Sequence, residues 1–149
     1  MTNTELNDLI TARAGTDPAF AQLVAVRNDT GIAEALSVGR TRLTTNVLTE
    51  RGIVSALGPV AGAAFINALY AFAAAPASGP LAAEHPGIKI MVAWLATAGL
   101  DVGDALTQQL LDALAATGVL ASASVATIKQ LAVIPDPIST NSVSEALNG

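Results

Sequence analysis

His85 is the only histidine in the chain, and no pattern surrounds it. A general base or metal ligand built on it needs partners at fixed spacing, and its flanks hold no HExxH-type arrangement. Glu84 is adjacent in sequence, which does not by itself make a ligand pair. His85 therefore reads as a polar loop residue before Pro86. The densest carboxylates are Asp101 and Asp104, with Asp112 further on. Paired carboxylates can run acid/base chemistry or hold a cation. A calcium loop of the EF-hand kind needs several oxygen ligands and a closing glutamate, and this segment has neither. Asp101 and Asp104 read instead as helix caps, favourable by about 0.3–1 kcal/mol at a helix N-terminus.

No serine lies in a G-x-S-x-G element. Gly58-Pro59-Val60-Ala61-Gly62 lacks the second half of a phosphate-binding loop, and no lysine follows it. Two glycines four apart point to close helix approach there. The chain has no cysteine, so disulfides, thiolate metal sites and a cysteine nucleophile are excluded. The expectation is a non-enzyme with no catalytic residue, no cofactor and no metal. A competing reading, an acidic small-molecule-binding or hydrolytic domain, requires a polar pocket around His85 or Asp101.

The arginines are unevenly placed. Arg13, Arg27, Arg40, Arg42 and Arg51 all precede residue 52; Met1 to Arg51 holds six acids against five bases, and the remainder six acids against two lysines. Such asymmetry suits head-to-tail packing between copies or docking on a partner. It equally suits a solvated surface whose arginines pair with nearby carboxylates, each pair contributing about 0–1 kcal/mol. Arg40 and Arg42 fall in the connection Val38–Leu43, where a loop position leaves them free to reach a partner. The net charge of −5 repels nucleic acid and anionic membrane.

The elements that must position these residues are helices. Alanine is about a fifth of the chain and aromatics are 3%; alanine is the best helix former, and strand-like alternation is nearly absent. The chain reads as all-α: a compact single domain, 1–149, of about seven to nine short helices packed around a central apolar helix. A chain this long can bury roughly 68–70% of its unfolded surface. Asn3 or Thr4 caps a first helix to Ala14, and Asp17 with Pro18 opens a second. Asp29 caps Ile32–Ser37, and Gly39 ends that helix. Thr44 or Thr45 caps a helix through Arg51 that Gly52 terminates, and Ile53–Gly58 is a short turn. His85-Pro86-Gly87 opens a helix with Ile88, Met91, Val92 and Leu95 inward and Trp94 on the flank. Asp101 or Gly103 caps the helix ending near Ala116, Ser122 caps one through Ala132, and Ser142 starts a terminal turn. Ile32–Leu36 (IAEAL) and Val143–Leu147 (VSEAL) echo one another as one short-helix solution used twice.

The central helix is the organising element. No charged residue occurs from Gly52 to Ala83, and Pro59–Ala75 spans roughly 25 Å at 1.5 Å per residue. Phe65, Leu69 and Phe72 share a stripe, with Ile66 and Tyr70 beside it. The opposite face is Ala63, Asn67, Ala71 and Ala74, where an ordinary surface helix carries Glu and Lys. Both sides look fit for burial, the small face against the same chain or another subunit, since charge depletion marks interface cores. A membrane span needs about 20 apolar residues, whereas this run contains Asn67 and is bounded by Pro59 and Pro76. The N-terminus has neither the basic nor the apolar region of a secretory signal.

Residues Asp29–Arg42 (DTGIAEALSVGRTR), Gly99–Leu120 (GLDVGDALTQQLLDALAATGVL) and VSEAL near the end resemble, in kind and order, small alanine-rich structural or assembly proteins of tailed bacteriophages. The resemblance implies a virion structural role in or around the tail, baseplate or fibre, assembled in the host cytoplasm. The protein would associate with itself as a homo-oligomer, or with phage tail or head proteins in a larger assembly. Nucleic acid and membrane are not expected partners. Capsid decoration, or a soluble assembly chaperone or regulator absent from the particle, is the alternative. The family pattern transfers no catalytic residue. The residues assigned to partner binding are Arg40, Arg42, Ala63, Asn67, Ala71 and Ala74.

Overall fold

Cap residues set most helix boundaries in the computed structural model, which describes residues 1–149. α1 (Asn3–Ala14) is capped by Thr2, one or two residues ahead of the expected Asn3 or Thr4. Thr2 Oγ1 accepts from Glu5 N at 3.2 Å, and Glu5 Oε2 accepts from Thr2 N at 2.7 Å. This reciprocal pair satisfies two donors that the first turn leaves free. Bonding to the Thr2 amide, and secondarily to its hydroxyl, holds the Glu5 carboxyl below its ordinary pKa. α2 (Pro18–Ala25) starts as expected, with Asp17 Oδ1 accepting from Ala19 N and Phe20 N. α3 (Asp29–Ser37) is capped by Asn28, which places the expected cap, Asp29, one position inside the helix. The chain is mostly helical, as expected.

Residues 1–42 and 135–149 form one compact unit. Its last element, α9 (Thr140–Asn148), is capped by Ser139 and is longer than the turn expected from Ser142. Leu6, Ile10, Phe20, Ile32, Ala33, Leu36, Val143 and Ala146 are its core. The IAEAL and VSEAL echoes thus supply two helices that pack on each other in one apolar cluster. Arg13 closes one side, its guanidinium 5.1 Å above the Phe20 ring and its Nη1 donating to Ala35 O at 2.9 Å. Arg27 is left-handed at φ 53°, and its Nη2 donates to Asn148 Oδ1 at 2.7 Å at the end of α9.

Residues 43–134 form the second unit; the chain enters it within β1 (Thr41–Leu43) and leaves within β4 (Val133–Pro135). The helix expected from Thr44 or Thr45 is absent. That segment is extended and includes β2 (Val47–Leu48). Thr49 caps α4 (Glu50–Leu57), which runs through Gly52, the expected terminator. Gly52 N donates to Thr49 Oγ1 at 3.2 Å, which makes the glycine part of the cap. α5 (Pro59–Ala74) follows after Gly58 alone, whose φ of 84° turns the chain back on itself. The two helices touch at Gly62, where an added Cβ would lie 2.6 Å from Val54 Cα. The close helix approach read from the two glycines is present at Gly62, while a Cβ at Gly58 would meet open space.

α6 (His85–Thr97) ends before Gly99, at φ 92°, and leads into β3 (Leu100–Asp101), which pairs antiparallel with β2, Leu48 opposite Leu100. α7 (Ala105–Ala116) is capped by Asp104, not by Asp101 or Gly103. α8 (Ser122–Gln130) has Ala121 at its cap position with no side-chain bond, and it stops before the expected Ala132. Ile53, Phe65, Leu69, Ile88, Met91, Leu111, Leu114 and Ile128 are among the core residues. α5 contributes to this core and to no other, so the chain holds two apolar clusters where a single one around α5 was expected. No helix is long and apolar enough to cross a membrane.

Candidate functional site

The face of α5 away from its core is open. Gly62, Phe65 and Leu69 are buried at i, i+3 and i+7, and Ile66, Tyr70 and Phe72 are half-buried beside them. Val60, Ala63, Ala64, Asn67, Ala71 and Ala74 are all exposed, Val60 at 82%. Those positions recur at the spacing of one helix face, and none is charged. The expectation that both sides are buried is thus corrected: within residues 43–134 the small-residue side stays open. Alanine promotes helix without supplying a reason for burial, so the packing of α4, α6 and α8 against α5 decided which side faces in.

One flank of this face is a groove of about 310 Å³ lined by Ala61, Ala64, Phe65 and Ala68 of α5 and by Val119, Leu120, Ala121 and Ser124 from the α7–α8 joint. It contains no charged group. At the other end of the hairpin, Tyr70 OH donates to Glu50 Oε1 at 2.5 Å, tying α5 to the start of α4. That bond to a carboxylate favours the neutral phenol and pushes the Tyr70 pKa above its ordinary value. Two large apolar side chains on α6, Ile90 at 53% and Trp94 at 50%, are also exposed four residues apart. The sequence placed Trp94 on the flank of α6 but did not mark Val60 or Ile90. Their signal would have been apolar residues opposite the buried stripe of each helix, Phe65 and Leu69 for Val60 and Ile88, Met91 and Leu95 for Ile90.

The residues with chemical potential are engaged in structure. His85 is not a loop residue: it opens α6 and is 6% exposed. Its Nε2 lies 3.1 Å from the Phe72 carbonyl, and its ring is 5.4 Å from the Phe72 ring. Asp101 Oδ1 accepts from Asn46 N and Gly103 N, both at 2.9 Å, bracing the loop after β3. Asp104 Oδ2 accepts from Thr107 N at 2.8 Å as a helix cap. Asp112 accepts both of its bonds from Lys129 Nζ, at 2.7 and 2.6 Å. No group of three or more His, Asp or Glu could hold a metal ion.

Arg40 does not project freely, whereas Arg42 stays largely exposed. Arg40 Nη2 donates to Asp136 Oδ2 at 2.8 Å, and its Nε donates to the Asp136 carbonyl at 3.3 Å. Arg42 lies 3.9 Å from the other Asp136 oxygen and keeps 60% of its side chain exposed. The carboxylate that claims them is 96 residues from Arg40, beyond what sequence proximity shows. The structure brings together the Ala63, Asn67, Ala71 and Ala74 positions on one helix face, while Arg40 and Arg42 belong to the other unit. Comparison with protein-family models, with curated proteins and with solved structures finds no match for this chain.

Proposed function

We propose that this protein is a non-enzymatic association module whose working surface is the uncharged face of α5. One observation carries the reading: an exposed stripe from Val60 to Ala74 without a charge. A solvated helix face ordinarily carries charged and polar side chains. Cores of protein interfaces lose charged residues, and small side chains let two backbones approach closely. A face about 24 Å long and one helix wide, about 10 Å, falls well short of the roughly 800 Å² each partner buries in a stable interface. α5 is therefore the centre of the contact, and the adjoining groove extends it. Repetition in a symmetric assembly multiplies such a modest contact.

The resemblance to tailed-phage proteins gives this module a setting: a structural component of the virion, packed against copies of itself or a tail or head protein. Mass spectrometry of purified particles tests the setting, with stoichiometric peptides expected. Their absence would move the protein to the assembly-chaperone or regulatory alternative. The surface itself is tested by Ala71→Glu. Because Ala71 is exposed, the substitution should leave the thermal midpoint within about 2 °C, as for a surface change of within ±0.5 kcal/mol. It should also abolish the concentration-dependent mass measured by sedimentation. A variant that associates like the parent rules the α5 face out as the contact.

A further inference from the structure

The last turn of α5 leaves a carbonyl that the backbone cannot satisfy. In a continuing helix the Phe72 carbonyl accepts from the amide four residues on, but position 76 is proline and has no amide hydrogen. Proline also pushes the preceding residue out of helical geometry, and Ala75 is extended at φ −71° and ψ 155°. The final backbone bond of the helix is therefore Ala75 N to Ala71 O, 3.1 Å. The imidazole of His85 takes the missing amide's place, with Nε2 3.1 Å from the Phe72 carbonyl. A carbonyl can only accept, so the bond requires the proton on Nε2. The ring is 6% exposed, and α5 carries no charged side chain that could serve instead.

We propose that His85 is a positioning residue for the α5 face. It is a side-chain cap delivered from the start of α6, and it holds the turn that presents Ala71 and Ala74. This inference rests on the association reading above. Without the cap, a part-buried carbonyl is left unpaired at the end of the helix, and the last turn frays to reach water. The C-terminal third of the proposed contact would then be lost from the ordered face.

Long-range ¹H–¹⁵N spectra of the single histidine come first, with the Nε2–H tautomer expected; an Nδ1–H tautomer overturns the cap. Amide exchange at Ala74 and Ala75 is then compared in His85→Ala, His85→Gln, Pro76→Ala and the His85→Ala/Pro76→Ala pair. His85→Ala should speed exchange roughly five- to tenfold, the equivalent of one hydrogen bond of about 1 kcal/mol. His85→Gln keeps a donor and should recover part of the protection. The double variant should recover most of it, because position 76 regains an amide and Ala75 is released from the proline constraint. If His85 acts only by filling space, the double variant exchanges as fast as the single one, and the cap is refuted.

Association measured by sedimentation should weaken in His85→Ala by the factor by which the ordered fraction of the last turn falls, and return in the double variant. Unchanged association alongside a last turn that is mostly unprotected in His85→Ala overturns the positioning role. A parent protein that never associates overturns the association reading instead, and the tautomer and exchange still decide the cap.

Discussion

Gly62→Ala tests the close approach on which the α4–α5 hairpin depends. In an exposed helix interior the change from glycine to alanine stabilises by about 0.5–1 kcal/mol. At position 62 the new methyl carbon would lie 2.6 Å from Val54 Cα, 3.2 Å from Val54 Cγ2 and 3.2 Å from Val54 N. Carbon atoms in contact rest about 3.5–4.0 Å apart, so the two helices must separate by roughly 1 Å. The nearest opposing atom is backbone, and no rotamer change relieves the overlap. Overpacking of this kind costs about 1–3 kcal/mol, and moving α4 also loosens the packing of Ile53, which is fully buried. Set against the propensity gain, the expected net loss is about 1–2 kcal/mol. At about 2–4 °C per kcal/mol, the thermal midpoint falls by about 2–8 °C. Urea unfolding followed by far-ultraviolet circular dichroism measures the loss as a lower midpoint at unchanged slope. Gly87→Ala is the control, because its added carbon would meet only Leu110 Cδ1 at 3.8 Å, an ordinary contact. That variant should be neutral or about 1 kcal/mol more stable. A Gly62→Ala protein as stable as the parent would falsify the steric reasoning, because helix propensity would then have outweighed the overlap.

Phe65, buried at 3% exposure in the α5 stripe, should cost about 3–5 kcal/mol on change to alanine in the same urea titration; a loss below about 1 kcal/mol would mean the stripe faces elsewhere. Gly103→Ala should exceed the loss at Gly62, since its Cβ would fall 1.9 Å from the Thr44 carbonyl oxygen; a neutral outcome would show that this loop shifts freely. Tyr70 is the only tyrosine, so its ultraviolet titration reports one group, and its midpoint should lie above the ordinary value of about 10. The fold favours the neutral phenol, so the stabilisation is complete at neutral pH and is lost as pH rises through the folded-state value. Glu50→Ala should bring the midpoint back down; an unmoved midpoint would detach Glu50 from the shift.

Features that depend on a few neighbouring residues were legible in the sequence. Asp17 with Pro18 starts α2, Gly39 and Gly99 take the positive φ expected of helix stops, and alanine content makes the chain mostly helical. Caps, glycine stops and helix propensity act within one turn, and so they survive in any fold the chain adopts. Gly62 signalled close contact because only a missing Cβ permits it, while Gly58 supplies the positive φ of the turn. The short strands were hidden because two or three residues show no period, and Leu48 pairs with Leu100 only through the register that the fold imposes.

What the small-residue side of α5 faces lay outside the sequence altogether. Ala63, Ala71 and Ala74 suit either a core or a surface, and which they meet depends on where α4, α6 and the α7–α8 joint pack. The role of His85 is of the same kind. In sequence it reads as a polar loop residue because its partner, a carbonyl orphaned by Pro76, lies 13 residues away. Arg40 is bound by Asp136 across 96 residues for the same reason. The sequence by itself determined where helices start, stop and require glycine, because those preferences are local. Which face stays open, and which polar groups are already spent, were decided by tertiary structure, because both follow from contacts between distant parts of the chain.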